Sequence, residues 1–391
     1  MHGGDIYSRQ VNMDFSVNVN PLGIPDSVKV AVTESLDNLN TYPEYGAGSL
    51  REAIASRWNE ISGDSNSNVG ANTYTRVTIT AENVLCGNGA SELIMAIVQT
   101  IRPSSLLLTA PTFSGYERAV RGVMGDDCQI IHHFLKEEDD FTVDETFLQV
   151  IKDSKPELVF ITNPGNPTGK LIGPEILKAI IRACKEAGSY LVIDECFIEL
   201  SGCDACDTIR KCLEDNCCNA CNAGSDSGAF DDPSAHYLTR LIILRAFTKT
   251  YALPGIRLGY AITDAKLAER IGRQLPEWNI SIPAMAAGMS ALKEDDYVSR
   301  AVALIKEERE DLIGELSRLG LRVFVSNANY ICFKVVANKN FASLGQNLLD
   351  RGILIRDCSD YMGLGPGYYR VAVKTHIENV ELIKAISHAP Y

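Results

Sequence analysis

Two stretches of this chain, "SYLVIDE" (189–195) and "RLIILRA" (240–246), are apolar through their middle and stop after the length of a strand. A strand with one face in water alternates apolar and polar residues, so an unbroken run needs cover on both faces. Helical segments supply that cover. "NVLCG" (83–87) precedes the amphipathic "SELIMAIVQTI" (91–101), and "SLLLTA" (105–110) precedes "SGYERAVRGV" (114–123). "ELVFIT" (157–162) precedes "GPEILKAIIRACKEAG" (173–188), which Gly188 closes. This alternation predicts an α/β fold, with a mostly parallel sheet joined by right-handed crossovers.

The pattern changes near residue 280. A long helical stretch, 283–320, leads into "RVFVS", "YICFKVV", "ILIRD" and "YYRVAVK". The 391 residues are therefore expected to form a large α/β domain over 36–280 and a smaller α+β domain over 281–391, with residues 1–35 joining the smaller one. A chain that is 46% hydrophobic can fill such cores. Its formal charge of −13 offers no basic face to nucleic acid. No apolar run approaches the roughly 20 residues of a membrane-spanning helix. The opening "MHGGDIYSRQVNMDF" lacks an apolar signal-peptide core, so a soluble cytoplasmic protein is expected.

Six of the twelve cysteines, Cys86, Cys128, Cys184, Cys196, Cys332 and Cys358, are scattered and read as small hydrophobes. The other six crowd between Cys203 and Cys221, in an insertion over 203–235. Cys203/Cys206 and Cys218/Cys221 have the spacing of a thiolate metal site. Spacing alone does not make a site, and an exposed insertion without metal is the reading adopted here.

Ligands of an open parallel sheet bind beyond the carboxyl ends of its strands. "LVFIT" runs into "NPGNPTG", which presents Asn163 and Asn166, and "YLVID" ends in Asp194. "LIILRAFTK" ends in Thr248 and Lys249, and "VLC" leads through "GNGASE" into a helix. A lysine at a buried strand end needs either a partner or a reaction. Amide, carboxylate, lysine and a glycine-rich anion cradle together suit one chemistry. The lysine condenses with an aldehyde cofactor, a carboxylate keeps the cofactor's pyridine nitrogen protonated, and a helix start holds its phosphate.

On these motifs the chain resembles, over nearly its whole length, the pyridoxal-phosphate (PLP) enzymes of the aspartate-aminotransferase fold, fold type I. Within them it is similar to the branch of histidinol-phosphate aminotransferase and of L-threonine O-3-phosphate decarboxylase of cobalamin biosynthesis. The resemblance makes Lys249 in "TKTYALPGIRLGY" the Schiff-base lysine and has Arg257, with Thr248 beside the lysine, on the cofactor phosphate. It implies that Asp194 in "IDECF" pairs with the pyridine nitrogen and Asn166 bonds the ring oxygen. Gly89, Ala90 and Ser91 would cradle the phosphate, and Phe113 in "APTFSGYERA" would stack on the ring. Tyr42 in "TYPEYGAGSL" would reach the phosphate of a neighbouring subunit, which implies a homodimer with shared sites. Arg370 would hold the substrate carboxylate and Arg356 a second anion; Asn18, Asn20, the turn ending at Gly23, and His2 would lie on the substrate side. A disordered terminus is the alternative for His2.

The stretches "HGGD", "DFSVNVNPLG" and "IRDCSDYMGLGPGYYRVAVK" look more like the decarboxylase than the aminotransferase. Three features depart from the family pattern. Ala246 stands where the branch usually has a hydroxyl residue. Phe197, which suits the decarboxylase, stands where most aminotransferases carry a tyrosine, and the cysteine-rich insertion has no counterpart. The expected substrate is a phosphorylated amino acid or amine, decarboxylated or, alternatively, transaminated. A PLP-binding transcriptional regulator would need a DNA-binding segment that is not visible. A metal or redox module would have to rest on the cysteine cluster alone.

Overall fold

The computed structural model describes residues 3–8, 10–61, 78–202, 238–336 and 341–389. His2, the whole cysteine cluster and the 62–75 stretch lie outside them. Seven strands make the large sheet: β2 (Val84–Gly87), β3 (Ser105–Ala110), β4 (Gln129–Phe134), β5 (Leu158–Thr162), β6 (Tyr190–Asp194), β7 (Leu241–Ala246) and β8 (Gly259–Ile262). Their order is β2-β8-β7-β6-β5-β3-β4. Only β8 runs against its neighbours, β2 and β7; the other pairings are parallel.

The unbroken apolar runs have the physical cause expected. Along β5, Val159 and Ile161 enter the core on one face of the sheet, while Leu158 and Phe160 enter the core on the other. β6 and β7 alternate the same way, Ile193 and Ile243 on one side, Val192 and Ile242 on the other. Each such side chain, taken fully from water, contributes about 1.5–3 kcal/mol. The helix Pro174–Ala187, with proline in its first turn, covers one face, and Ala90–Ile101 covers the other.

The smaller sheet is antiparallel, in the order β12 (Arg356–Asp357), β13 (Tyr368–Ala372), β10 (Tyr330–Lys334), β9 (Arg322–Val323). β1 (Met13–Asp14) pairs in parallel with β11 (Ile353–Leu354), and Phe15 joins the small domain's core. The domain division needs correcting at two places. Val28, on the helix Asp26–Ser35, and Ala284 and Ala287, on the helix Ile282–Ala291, are buried in a core of the large sheet. Residues 26–35 and 282–291 therefore pack with the large domain, because their apolar faces meet each other and that core. The long helical stretch is correspondingly two helices, Ile282–Ala291 and Asp295–Arg318. Between β1 and the first helix the chain crosses from one core to the other.

Candidate active site

β5, β6 and β7 are parallel neighbours, so whatever follows each is delivered to one edge of the sheet. A cavity of about 260 Å³ lies there. Thr162 and Asn166 reach it from β5, Asp194 and Phe197 from β6, and Thr248 and Lys249 from the turn after β7. Gly89, Ala90 and Ser91 come from the turn after β2, Phe113 from beyond β3, and Arg257 from the segment before β8. Arg356 and Arg370 come from the small sheet, and Ser16 and Asn18 from the crossing segment. Four cationic side chains and one carboxylate give this cavity the opposite sign to the chain as a whole.

Lys249 points its Nζ at the Phe197 ring, 5.7 Å from the centroid. Burial, then the nearby Arg370 guanidinium, pushes its ammonium down from 10.5 to about 8, against the pull of Cys196 and Asp194. An amine so tuned is partly uncharged near neutrality, the form that attacks a carbonyl. Asp194 is 7% exposed. Its Oδ2 accepts from the Tyr116 hydroxyl at 2.7 Å, and its Oδ1 from the Cys196 backbone N–H at 3.0 Å. Burial and the Asp194 charge hold the Tyr116 phenol well above its ordinary range, so it remains a donor. Beneath them Arg245 pairs with Glu195 at 2.8 Å and lies over the Trp58 ring, bracing β6 against β7.

The anion cradle depends on two glycines. Gly89 has φ +74°, and a Cβ there would come within 2.7 Å of Arg257 Nη2. A Cβ on Gly259 would meet the Ala90 nitrogen at 2.8 Å and the Arg245 carbonyl oxygen at 3.0 Å. The start of the helix Ala90–Ile101 is thus pressed between β8 and Arg257. Arg257 itself has φ +59°, a left-handed conformation that costs a non-glycine residue about 1 kcal/mol or more.

Arg370 is held on three sides. Its Nη1 donates to Asn166 Oδ1, and its Nη2 donates to the Ser16 carbonyl at 2.9 Å. Asn18, its amide turned so that oxygen faces the guanidinium, accepts from Nε at 3.2 Å.

Most of the expected site residues therefore converge, and four of the described ones do not line this cavity. Asn163 is fully buried and accepts from the Ile172 N–H at 2.9 Å, and Asn20, Gly23 and Tyr42 lie elsewhere. Asn20 spends its amide on the Thr250 carbonyl (2.8 Å) and the Leu22 N–H (3.0 Å), so it braces the Lys249 turn from behind. Gly23 gives its carbonyl to the Tyr297 hydroxyl. Both are corrected from substrate-lining to supporting positions. Tyr42 is 79% exposed, its ring tilted by 37° against Trp278 with centroids 4.8 Å apart, on the surface of the chain. The sequence reading missed Tyr116, Thr162, Ser16 and Tyr361. The six scattered cysteines are all buried and unbridged, and no cluster of potential metal ligands exists among the described residues. No helix among the described residues is long and apolar enough to cross a membrane.

The donor set fits a phosphorylated pyridine aldehyde. The Gly89 cradle, which any Cβ would fill, sits with Arg257, Ser91 and Thr248 where a phosphate needs donors. Phe113 offers a ring face, Asp194 a carboxylate, and Lys249 an amine in the same cavity.

Comparison with known proteins agrees. The sequence model of the family described as "Aminotransferase class I and II" matches residues 10–386. The Adenosylcobalamin biosynthesis bifunctional protein CobDQ of Leptospira interrogans is 32% identical over 97% of this chain, which spans only 39% of that longer protein. Threonine-phosphate decarboxylase of Salmonella typhimurium is 30% identical, covering 98% of this chain and 95% of that one. The histidinol-phosphate aminotransferase structure from Clostridium acetobutylicum superimposes with TM-score 0.78 at 27% identity, over 96% of this chain and 98% of the other. The chain belongs to the aminotransferase class I and II family and is one of its pyridoxal-phosphate-dependent enzymes.

Proposed function

We propose that this enzyme decarboxylates L-threonine O-3-phosphate. One observation carries the reading. Arg356 and Arg370 are direct partners in the β12–β13 ladder, and both line the cavity with Lys249. Residues opposite each other in an antiparallel pair lie about 4.5–5.5 Å apart at Cα, with side chains on the same face. Two arginines rooted side by side on one face of the strand pair and lining one cavity suit a short molecule with two anions. L-Threonine O-3-phosphate carries a carboxylate and a phosphate on adjacent carbons. Phe197 supports the same reading, since the tyrosine usual in aminotransferases is replaced by a ring without a donor.

Arg257, the Gly89–Ser91 turn and Thr248 would hold the cofactor phosphate, Asp194 its pyridine nitrogen, Asn166 its ring oxygen, and Phe113 its face. When bound, the cofactor supplies an electron sink for the pair released at the substrate's α-carbon. Arg370 orients the substrate carboxylate. With the phosphate anchored at Arg356, the carboxylate is the group set to leave. Lys249, an amine near pKa 8, is the base and acid within reach of the α-carbon, and returns a proton there after carbon dioxide departs. Ser16 and Asn18 of the crossing segment add polar groups to the cavity lining beside Arg370.

The exposed aromatic group Tyr42, Tyr45 and Trp278 supports a homodimer in which Tyr42 reaches the partner's cofactor phosphate. Transamination of histidinol phosphate is the second reading, favoured by the likeness to the Clostridium acetobutylicum enzyme. Parallel product assays separate them. Carbon dioxide from L-threonine O-3-phosphate supports the decarboxylase. Glutamate from histidinol phosphate and 2-oxoglutarate, with no carbon dioxide, supports the aminotransferase.

A further inference from the structure

Arg356 meets the cavity with its charge already matched. Its Nη2 donates to both carboxylate oxygens of Asp360, at 2.8 and 2.9 Å, and its Nη1 donates to the Asp357 carbonyl at 2.6 Å. The guanidinium also lies over the Tyr361 ring, 5.1 Å from its centroid. The two partners differ in how they are held. The Arg356 side chain is 6% exposed and pinned by backbone and ring, whereas that of Asp360 is 44% exposed. They also face different spaces. Arg356 lines the inner cavity, while Asp360 lines an adjoining one of about 340 Å³, with Tyr361 in the wall between.

An incoming anion and the Asp360 carboxylate compete for the same guanidinium, and like charges that close repel. The carboxylate is the cheaper group to move. Its end of the pair is 44% exposed, so water can take over its oxygens when it leaves, whereas Arg356 is buried, and the outer cavity leaves the carboxylate room to turn away. We propose that Asp360 is a displaceable counter-ion of Arg356, which the second anionic group of the substrate must expel in order to bind. It is a positioning residue, acting on the substrate through Arg356. The inference rests on the reading that Arg356 faces the substrate's distal anion.

The test uses cofactor-loaded protein and two probes, O-phosphoethanolamine and ethanolamine, followed by the change in the cofactor's absorption on binding. Neither probe has a carboxylate to lose, so the outcome is independent of whether decarboxylation is the reaction; that question is settled by carbon dioxide release alone. Asp360→Asn should bind O-phosphoethanolamine about tenfold more tightly than wild type, the factor that roughly 1.4 kcal/mol commands. Ethanolamine should bind both proteins alike, and Asp360→Glu should restore wild-type affinity. Should the amide disturb the turn, as a lowered melting temperature would reveal, Asp360→Ser repeats the comparison. Unchanged, weakened or undetectable binding of O-phosphoethanolamine by the neutral variants overturns the proposal. So does equal tightening of ethanolamine, because the effect would then have nothing to do with the distal anion.

Discussion

The Tyr116 hydroxyl donates to Asp194 Oδ2 at 2.7 Å while lying 2.9 Å from Thr162 Oγ1, so one phenol joins the ends of β5 and β6. Tyr116 is fully buried and stacks on Phe160 with ring centroids 4.6 Å apart. Removing the hydroxyl leaves a buried carboxylate short of a donor, worth about 1–3 kcal/mol. Tyr116→Phe should therefore weaken PLP binding about tenfold or more, measured by equilibrium dialysis against the free cofactor. An unchanged dissociation constant would mean that the phenol does not orient Asp194.

Lys249 can be tested in two ways. Borohydride reduction of loaded wild type should fix the cofactor on Lys249 alone, and Lys249→Ala should hold it only non-covalently. Label on any other lysine contradicts the assignment.

Without cofactor, the same lysine should lower stability in a pH-dependent way. Its folded pKa of about 8 lies below the ordinary 10.5, so below pH 8 both states are protonated and the cost of burying the charge is fully present. Between about 8 and 10.5 the unfolded chain holds more protons than the folded one, so stability rises with pH. Urea melts of cofactor-free Lys249→Met should exceed wild type by up to about 3 kcal/mol at neutrality, the gap closing towards pH 10.5. A gap that does not vary with pH would show that Lys249 is not desolvated.

Phe197 packs edge-on against Tyr330, ring centroids 5.0 Å apart, and lines the cavity beside Lys249. In Phe197→Tyr the added hydroxyl can donate to the cofactor's ring oxygen, which favours the deprotonated imine. The pH titration of the visible band should move to lower pH. No movement, or a rise, would place the ring elsewhere.

The shared site of the proposed dimer predicts complementation. Lys249→Ala and Tyr42→Ala chains should each be impaired alone, and a mixture refolded together should regain activity by forming sites that carry neither lesion. A mixture no better than its parts would contradict the sharing.

Much of this could be read from sequence because each strand end is short, rigid and followed at once by its functional group. Asp194 closes β6, and Lys249 lies three residues past β7, so strand position alone predicted convergence. β4 and β8 escaped the reading. "QIIHHF" is partly exposed at the sheet edge and lacks an unbroken apolar run, and "GYAI" opens on the last two residues of the lysine motif "TKTYALPGIRLGY", which hid its strand character. Tyr116 escaped for a different reason. It lies in the first turn of the helix Gly115–Met124, where a buried aromatic reads as core packing, and its polar role depends on Thr162 and Asp194 arriving from other strands. Asn20 was misplaced because an asparagine near a turn looks alike whether it faces a ligand or, as here, backbone. The pairing of Asp360 with Arg356 follows from the turn after β12, whose course spacing does not reveal.

The central claim is that two anion-binding arginines beside Lys249 select a phosphorylated amino acid and remove its carboxyl group. Mass spectrometry of the products formed from L-threonine O-3-phosphate tests it most directly. The account predicts a product that has lost carbon dioxide and kept both its amine and its phosphate, with Arg370→Ala abolishing its formation. A product that has kept its carboxylate and lost its amine, formed only when a 2-oxo acid is supplied, would contradict it.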